Sequence, residues 1–544
     1  MKHPLKKLLA LLLSALMLFT LAPSIAYAGA KTIRDEIASK NNRFGYNHVD
    51  YHGGRTLTER YLRGEKDDSV RDTLPSSYDS RTYGYITSVK NQNPYGTCWT
   101  FGTMAAIEAY MIKHGIINKD TGAAATTSMD LSELHLAWFT YSAAYDKLGM
   151  LSGDSSAATY SNYLNNGGTG SLATYTVMRW EGPATENTSA LKYSNASTSG
   201  VNSQYAYAYD NAHVTDAIWI PVANRDAVKR AIMEYGAATI SYYHSDSYFN
   251  SSTGGYCYKT NSTVYANHAV TVVGWDDNYS RSNFYSSYGP SGNGAWIIKN
   301  SWGSSWGKSG YFYLSYEETA SNDEYCYFYK VAPVDNYTNC YQYDGTSNIN
   351  NYLAMSNNCQ VANVFVAQSS EQLTAVALAT WDEATSYTLQ IYKNPTSSTN
   401  PTSGTLMTSQ TGYIDYAGYY TIPLNNAVSL SSGDKFAVVF TLSTPNYDSS
   451  DGKYVHIPYD ASASISWAKW VHTNHGSTSF YKLSNGSWTD VPNNGDIRIK
   501  AYTGGTAATP SYTVSAVSNN TSYGTVSVSG NTIIATPASG CFID

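Results

Sequence analysis

The sequence predicts a multidomain protein in which an α+β domain precedes an all-β sandwich and the start of a β repeat. Its 544 residues exceed what one hydrophobic core normally organises. Within residues 74–335, helical periodicity gives way to the alternating pattern of strands. Over residues 340–503, short alternating segments are separated by Gly, Ser, Pro and Asn turns, which is typical of a β-sandwich.

The composition indicates an exported, β-rich chain. Charged residues make up only 14% of the sequence, and there are 51 tyrosines, a residue that strands favour. The formal net charge is −7, and no basic run occurs outside the N-terminus. These features argue against nucleic acid and against an anionic membrane as the main partner.

The N-terminus has the features of an export signal. Three lysines in the first seven residues precede a long apolar stretch, and residues 26–28 form an A-x-A cleavage site. We expect a signal peptide over residues 1–28 that is cleaved after Ala28; an uncleaved anchor is the alternative. No later apolar run is long enough to cross a bilayer, so the mature chain is expected to be secreted or at the cell surface without spanning the membrane.

Residues 29–73 are polar and charged, and we interpret them as a pro-segment or linker.

In the α+β domain, helices are predicted before strands. Apolar spacing predicts a helix over residues 99–114, with Gly115 as its C-cap, and a second helix from Leu131, with Ser132 as its N-cap. A glycine-rich turn follows at residues 165–171, and a third helix ends at Gly236. Alternation then predicts strands at residues 238–243, 268–275, 295–300 and 310–316.

The β-sandwich is predicted from five strand segments. They lie at residues 361–367, 372–380, 387–392, 419–424 and 435–442. A short linker follows, and residues 510–544 are expected to start a further β module.

Six cysteines are too few for a disulfide scaffold in an exported chain of this size. The absence of a C-x-x-C pair argues against a structural zinc site. Two pairs could form disulfides, and the sequence leaves both open: Cys257 with Cys326, and Cys340 with Cys359. Cys98 stands apart because it precedes a tryptophan at a predicted helix start. It could be a buried apolar residue, a disulfide partner, a metal ligand or a nucleophile.

The residues needed to make Cys98 a nucleophile are present. A helix N-terminus favours the anionic sulfur, and Gln92 could join the Cys98 N–H as an oxyanion donor. His268 opens one predicted strand and Asn300 ends another. If these strands are neighbours, Asn300 could accept a hydrogen bond from the His268 ring and fix its orientation, as the third member of a catalytic triad does.

Five segments together resemble the papain family of cysteine peptidases. They occur in the family's order, at residues 74–102, 131–139, 165–168, 267–277 and 296–316. The resemblance implies a two-lobed fold in which a helical lobe carries Cys98, a β lobe carries His268 and Asn300, and the cleft lies between them.

The resemblance also implies a role for each catalytic residue. Cys98 would be the nucleophile, His268 the base and then the acid, Asn300 the orienting residue, and Gln92 the oxyanion donor. No metal or organic cofactor is expected for this chemistry.

Further residues would bind or shield the substrate by the same resemblance. Gly168 would pair with the substrate main chain and Gly167 would shape that loop. Ala266 would lie near the selectivity pocket, with Ser241 at its floor. Trp302 would cover the hydrogen bond between the catalytic histidine and asparagine.

The sequence departs from the family pattern at several places, one of which is Ser80, where the family often has tryptophan. Tyr95 stands where the family usually has a cysteine, so that family disulfide is absent and packing must hold the loop instead. The gap between Cys98 and His268 is 170 residues (268 − 98), longer than the roughly 130–150 residues usual for such partners. We place the surplus in residues 185–215, near the cleft.

Residues 340–503 resemble the lectin-like β domain that accompanies certain bacterial papain-like peptidases, and the tail from Tyr512 resembles a bacterial surface repeat. Aromatic residues in such a domain more often form the core than a sugar platform. The resemblance to a lectin-like domain nevertheless makes a glycan or other cell-surface material the second candidate partner, after polypeptide substrates.

The expected function is a secreted or cell-surface cysteine endopeptidase. Two alternatives from other classes stay open at this point: a non-catalytic adhesin on a peptidase scaffold, and a cell-wall peptide amidase or transpeptidase that uses the same cysteine and histidine.

Overall fold

A computed structural model describes residues 29–32, 74–445, 447, 454–504, 524–529 and 532–537. The predicted signal peptide lies outside the described residues, as does all of the predicted pro-segment except its first four residues. We call residues 74–335 the N-terminal domain and residues 340–503 the C-terminal domain.

Four α-helices belong to the N-terminal domain. They are α1 (Cys98–Lys113), α2 (Glu133–Thr140), α3 (Gly170–Val177) and α4 (Arg225–Tyr235). In the described part of the chain, none of them is both long and apolar enough to cross a bilayer.

Local capping sets the ends of these helices. Ser132 caps α2 by accepting the His135 N–H at 3.0 Å, as predicted. Gly236 ends α4 at a φ of +93°, a conformation that favours glycine. The predicted turn at residues 165–171 is too long, because Thr169 caps α3 by accepting the Leu172 N–H at 3.0 Å and the helix begins at the next residue.

Most strands of the N-terminal domain follow the helices, as predicted, but the ten-residue strand Ala212–Pro221 precedes α4, and shorter strands also occur among the helices. They are Ser77–Asp79, Ile117–Asn118, Ala123–Ala124, Ser155–Ala158, Ala212–Pro221, Ala238–Tyr242, Phe249–Asn250, Gly255–Tyr256, His268–Asp276, Ala295–Lys299, Tyr311–Ser315 and Tyr325–Pro333. Helix α1 packs against this sheet with 12 of its 16 residues buried, which fixes the start of the helix between the two lobes.

Two strands position the predicted histidine and asparagine. Strand His268–Asp276, the histidine strand, pairs antiparallel with strand Ala295–Lys299, the asparagine strand. Lys299 pairs with Thr271, so the residue after the asparagine strand lies beside the start of the histidine strand. This adjacency is the condition that the sequence analysis set for a histidine–asparagine pair.

The C-terminal domain consists of strands. They are Asn339–Tyr341, Asn351–Met355, Cys359–Val366, Glu371–Thr380, Thr385–Lys393, Thr405–Ile414, Ala417–Leu430, Lys435–Ser443, Val455–Asp460, Ala463–Ser464, Ala468–Val471, Ser479–Lys482, Thr489–Asp490, Asp496–Ile497 and Ile499–Thr503. Each of the five predicted segments lies on one of them. Beyond this domain, Gly524–Ser529 and Thr532–Pro537 pair as a hairpin, and Gly29–Thr32 pairs antiparallel with Asn351–Met355.

The two domains share a sheet. Strand Ala417–Leu430 of the C-terminal domain pairs antiparallel with strand Ala212–Pro221 of the N-terminal domain, within a 13-stranded sheet that runs through both. A second junction forms where strand Ala468–Val471, the seam strand, pairs antiparallel with strand Ser155–Ala158. The domains are therefore joined by backbone hydrogen bonds at two places as well as by the connecting chain.

All five cysteines in the described residues are buried and free. Neither pair considered from the sequence forms a disulfide, and Cys541 lies outside the described residues.

Candidate active site

The structure brings Cys98, His268 and Asn300 together between the lobes, and we call these three residues the catalytic cluster. Cys98 is the first residue of α1. Its Sγ accepts the backbone N–H of Ala269 at 3.3 Å, so the sulfur lies against the residue that follows His268. Nε2 of His268 lies 2.8 Å from Oδ1 of Asn300. With Nε2 directed at Asn300, Nδ1 is the ring nitrogen that would exchange a proton with a neighbouring group.

Burial dominates the electrostatics of the Cys98 thiol. Desolvation raises its pKa to about 12, against hydrogen bonds from backbone N–H groups that act to lower it. A thiolate at this position therefore needs a positive neighbour in addition to the helix N-terminus. A protonated His268 would be such a neighbour.

Asn300 and Trp302 hold the histidine ring from two directions. Oδ1 of Asn300 also accepts the Ser301 N–H at 2.8 Å, which fixes the amide so that its oxygen faces the imidazole. The Trp302 indole stacks on the His268 ring, with centroids 4.6 Å apart and an interplanar angle of 15°. Trp302 therefore lies next to the histidine, where the sequence analysis placed it as a cover.

Gln92 is buried beside the catalytic cluster and is held at both ends of its amide. Its Oε1 accepts the Ser301 hydroxyl at 2.7 Å, while its Nε2 donates to the Tyr95 carbonyl at 2.9 Å. Its backbone N–H also donates to the Ser301 carbonyl at 2.8 Å. Ser301 is a site residue that sequence reasoning missed, because a serine between the asparagine and the tryptophan of a motif carries no chemical signal of its own.

The polar segment at residues 185–215 supports the loop before Cys98. The Tyr193 hydroxyl donates to the Gln92 carbonyl at 2.7 Å and lies 2.5 Å from the Thr97 hydroxyl. The Tyr95 ring meets the Tyr193 ring edge-on at 6.1 Å, and its hydroxyl donates to the Ala196 carbonyl at 3.3 Å. Packing and hydrogen bonds thus hold the loop at the position where the resembling family has a disulfide.

The glycine loop, residues 165–168, lies against Trp99, the residue after Cys98. A Cβ on Gly168 would lie 2.4 Å from Cε2 of Trp99, so only glycine fits there. Gly167 has a φ of +79°, and its carbonyl accepts the Tyr141 hydroxyl at 2.7 Å. Close packing on the indole fixes how far the loop stands from Cys98.

The two residues assigned to the selectivity pocket are both buried. Ser241 lies opposite Ala269 on the strand that pairs with the histidine strand. Its hydroxyl has no hydrogen-bond partner in the described part of the chain. Ala266 lies two residues before His268 and packs into the same core as Cys98 and Trp99. The structure thus places both near the histidine.

An ionic group, largely buried except at Asp130, lies in the helical lobe. The Lys90 ammonium lies 3.0 Å from Glu108, 2.6 Å from Asp130 and 2.9 Å from Glu133. Lys299, the residue before Asn300, donates to the Thr87 hydroxyl at 2.9 Å, and burial lowers its pKa to about 8. These contacts anchor the end of the asparagine strand to the helical lobe.

The groups spaced like metal ligands lie away from the cleft, where the two domains meet. They form the seam cluster of Asp154, Asp460, His472, His475 and Asp496. Nδ1 of His472 lies 3.2 Å from Asp154, and its Nε2 lies 2.9 Å from Asp496. Since both ring nitrogens already face carboxylates, ion pairing accounts for the arrangement. Among the described residues, no group with metal-ligand spacing occurs at the catalytic cluster.

Two family models match the chain. The papain family cysteine protease model matches residues 74–331, and the lectin-like domain model matches residues 340–503.

Solved structures with both kinds of domain are similar to this one. The crystal structure of the cysteine protease and lectin-like domains of Cwp84, a surface layer associated protein of Clostridium difficile, is 26% identical. It aligns with a TM-score of 0.65 over 88% of this chain and 99% of that chain. A structure of the Cwp84 protease after propeptide cleavage is 27% identical, with a TM-score of 0.63 over 79% of this chain and 100% of that chain.

Curated relatives match the N-terminal half. Fruit bromelain of Ananas comosus is 28% identical over 249 residues, which are 45% of this chain and 56% of that protein. Cathepsin K of Mus musculus is 31% identical over 243 residues, 44% of this chain and 60% of that protein. The chain therefore spans less than two thirds of the length of these relatives.

A cysteine at a helix start beside a histidine–asparagine pair is an arrangement that thiol peptidases use. The N-terminal domain is a papain-family cysteine protease domain, and the C-terminal domain is a lectin-like domain. The resemblance stated from the sequence is confirmed for both domains.

Proposed function

We propose that the protein is an exported cysteine endopeptidase that hydrolyses peptide bonds through Cys98, His268 and Asn300. The observation that carries the proposal is the catalytic cluster itself. The Cys98 sulfur accepts the Ala269 N–H at 3.3 Å, and the adjacent His268 is fixed by Asn300 at 2.8 Å. This is the nucleophile, base and orienting group that covalent acyl transfer needs.

Acylation begins with proton transfer from the Cys98 thiol to Nδ1 of His268. The resulting imidazolium stabilises the buried thiolate, which attacks the carbonyl carbon of the substrate. The developing oxyanion is held by the Cys98 N–H and by the side-chain amide of Gln92. His268 then returns its proton to the leaving amine as the C–N bond breaks, which leaves a thioester on Cys98.

Deacylation uses the same groups with water as the nucleophile. Neutral His268 takes a proton from water as the oxygen attacks the thioester carbonyl, and the C–S bond breaks to release a carboxylic acid and the thiol. Asn300 keeps the ring oriented in both steps. Gly168 offers main-chain hydrogen-bonding groups to the substrate beside the scissile bond.

The proposed place of action is outside the cell. The predicted export signal supports it, and so does the likeness to Cwp84, which is described as surface layer associated. The lectin-like domain supports glycan or other cell-surface material as a second ligand beside polypeptide substrates.

Purified protein and a Cys98→Ala variant test the proposal on a fluorogenic peptide library and an unfolded protein, with and without a thiol reductant. We expect cleavage by the unmodified protein, stimulation by the reductant, and loss of cleavage in Cys98→Ala. Absence of cleavage by well-folded protein would contradict the proposal. In that case, release of peptide from purified cell wall would test the amidase alternative.

A further inference from the structure

We propose that Asn166 is a positioning residue through which the C-terminal domain holds the substrate-binding glycine loop. The proposal deepens the proposed function and rests on it. Its consequence is that the seam strand of the lectin-like domain helps to set how the peptidase binds its substrate.

The loop has little freedom on the side of the nucleophile. Gly168 packs on the Trp99 indole, and the Gly167 carbonyl accepts the Tyr141 hydroxyl at 2.7 Å. The Oδ1 of Asn165 also accepts the Gly96 N–H at 3.1 Å, two residues before Cys98. A small displacement of the loop would therefore alter the main-chain contacts that Gly168 makes with a substrate.

Asn166 holds the loop on its other side. The residue is buried, with 3% of its surface exposed. Its Oδ1 accepts the N–H groups of Tyr160 and Ser161 at 3.1 and 3.2 Å, within its own segment. Its Nδ2 donates to the Trp467 carbonyl at 2.7 Å, 301 residues away in the C-terminal domain. One side chain thus joins the glycine loop to the second domain.

The acceptor is itself fixed by the junction between the domains. The seam strand begins at the next residue, Ala468, and pairs with Ala158 of the N-terminal domain. The Trp467 carbonyl also accepts the Thr159 N–H at 3.1 Å. The Trp470 indole, buried in the same strand, donates to the Ser347 hydroxyl at 3.2 Å. The position of the Trp467 carbonyl is therefore fixed by the pairing of the seam strand with strand Ser155–Ala158 and by the buried Trp470 indole.

A purely local role for Asn166 would use its Oδ1 and its side-chain hydrogen bond with the Tyr141 hydroxyl. The substitution Asn166→Asp keeps an acceptor for Tyr160, Ser161 and that hydroxyl but turns a carboxylate oxygen towards the Trp467 carbonyl. Two acceptors then face each other in a buried place. A protonated aspartic acid can donate as asparagine does, so the defect should be relieved at low pH.

The test compares full-length unmodified protein with Asn166→Asp and with Asn162→Asp as the matched control. Asn162 lies in the same segment, and its Oδ1 accepts the Leu164 N–H at 3.0 Å. We expect Asn166→Asp to lower kcat/KM for peptide substrates by roughly 5- to 30-fold, mainly through KM. The fall should be smaller at acid pH, relative to unmodified protein at the same pH. Asn162→Asp should stay within about 2-fold.

A second reaction separates positioning from general damage. Iodoacetamide alkylates Cys98 without needing the glycine loop, so its rate constant should change by less than about 2-fold in Asn166→Asp. A parallel fall of peptide cleavage and alkylation would overturn the proposal, since it would indicate general damage to the cluster. Unchanged kcat/KM would overturn it as well.

Hydrogen exchange tests the link between Asn166 and Trp467 without requiring the protein to be catalytically active. Exchange of the backbone N–H groups of residues 165–168 should be faster in Asn166→Asp and Asn166→Ala than in unmodified protein. If unmodified protein and Cys98→Ala are equally inactive on peptides, the proposed function fails, and this exchange still tests the link to Trp467. Unchanged exchange in both Asn166 variants would overturn the link.

Discussion

The catalytic cluster and the seam cluster are both buried polar groups, yet they are built in opposite ways. In the seam cluster, opposite charges face each other, with His472 between Asp154 and Asp496. In the catalytic cluster, the Nδ2 of Asn300 has no hydrogen-bond partner within the described residues, and burial raises the pKa of the Cys98 thiol. Incomplete satisfaction of this kind is typical of sites kept for reaction, whereas complete pairing is typical of sites that fix structure.

Because of this difference, we expect substitutions in the two clusters to affect different properties of the protein. A variant in the catalytic cluster should abolish activity and leave the fold, while a variant in the seam cluster should weaken the fold and leave the activity of the molecules that remain folded.

The largest expected effect is that of His268→Ala. Removing the base should lower kcat on the order of 10⁴-fold, because neither step of the reaction has another proton acceptor in place. Asn300 keeps its hydrogen bond from the Ser301 N–H, so the thermal midpoint should change less than in a seam variant. Steady-state kinetics and thermal unfolding check this. More than a tenth of the original activity would contradict the assignment of His268.

The next largest effect is that of His472→Ala on stability. It leaves the buried carboxylates of Asp154, Asp460 and Asp496 without their imidazole partner, which should lower the free energy of unfolding by about 3–5 kcal/mol. Lys259→Ala is the control, because its ion pair with Glu317 is exposed and should matter little. Urea unfolding measures both. Equal stability of the two variants would show that burial of the seam cluster does not matter.

The seam cluster should also make stability depend on pH. Burial acts to lower the pKa of His472, but attraction to Asp460 and hydrogen bonds to Asp154 and Asp496 outweigh it and raise the pKa to about 11. An unfolded histidine titrates near about 6.5. The stabilisation is therefore fully present below about pH 6.5 and is lost as the pH rises towards about 11.

Unfolding in urea at several pH values between about 6 and 10 measures this dependence. The free energy of unfolding should fall with rising pH more steeply in unmodified protein than in His472→Ala. Parallel curves would mean that His472 does not hold its proton more tightly in the folded state.

The smallest expected effect is that of Ser301→Ala, which sharpens the comparison inside the catalytic cluster. The hydroxyl donates to Oε1 of Gln92, and its loss should let the oxyanion donor turn away. We expect kcat to fall about 2- to 10-fold, as for one neutral hydrogen bond. The exposed Ser305→Ala is the control and should behave like unmodified protein. An equal effect of the two variants on kcat would contradict the proposed role of Ser301 in holding Gln92.

The features of the candidate site that depend on residue type could be predicted from the sequence. A cysteine at a helix start, a histidine that opens a strand and an asparagine that follows one carry their chemistry in their identity. The strand that begins at His268 and the strand that ends before Asn300 were both predicted from the sequence, and the structure shows them as neighbours.

The contacts that join backbone groups far apart in the sequence could not be predicted from it. Donation from Asn166 to the Trp467 carbonyl uses a main-chain acceptor that every residue type offers. The shared sheet joins strands about 200 residues apart, and alternation shows that a strand exists without showing its partner. The hydrogen bond from the Tyr193 hydroxyl to Gln92 was not predicted for the same reason, because its acceptor is again a backbone carbonyl.

The most direct test of the central claim is the pH dependence of Cys98 alkylation by iodoacetamide in unmodified protein and in His268→Ala. If the two residues form the proposed ion pair, unmodified protein should react readily near about pH 6, because the thiolate is already present beside an imidazolium. His268→Ala should react only at alkaline pH, as expected for a thiol whose pKa burial raises to about 12. Superimposable pH profiles would contradict the claim that His268 activates Cys98.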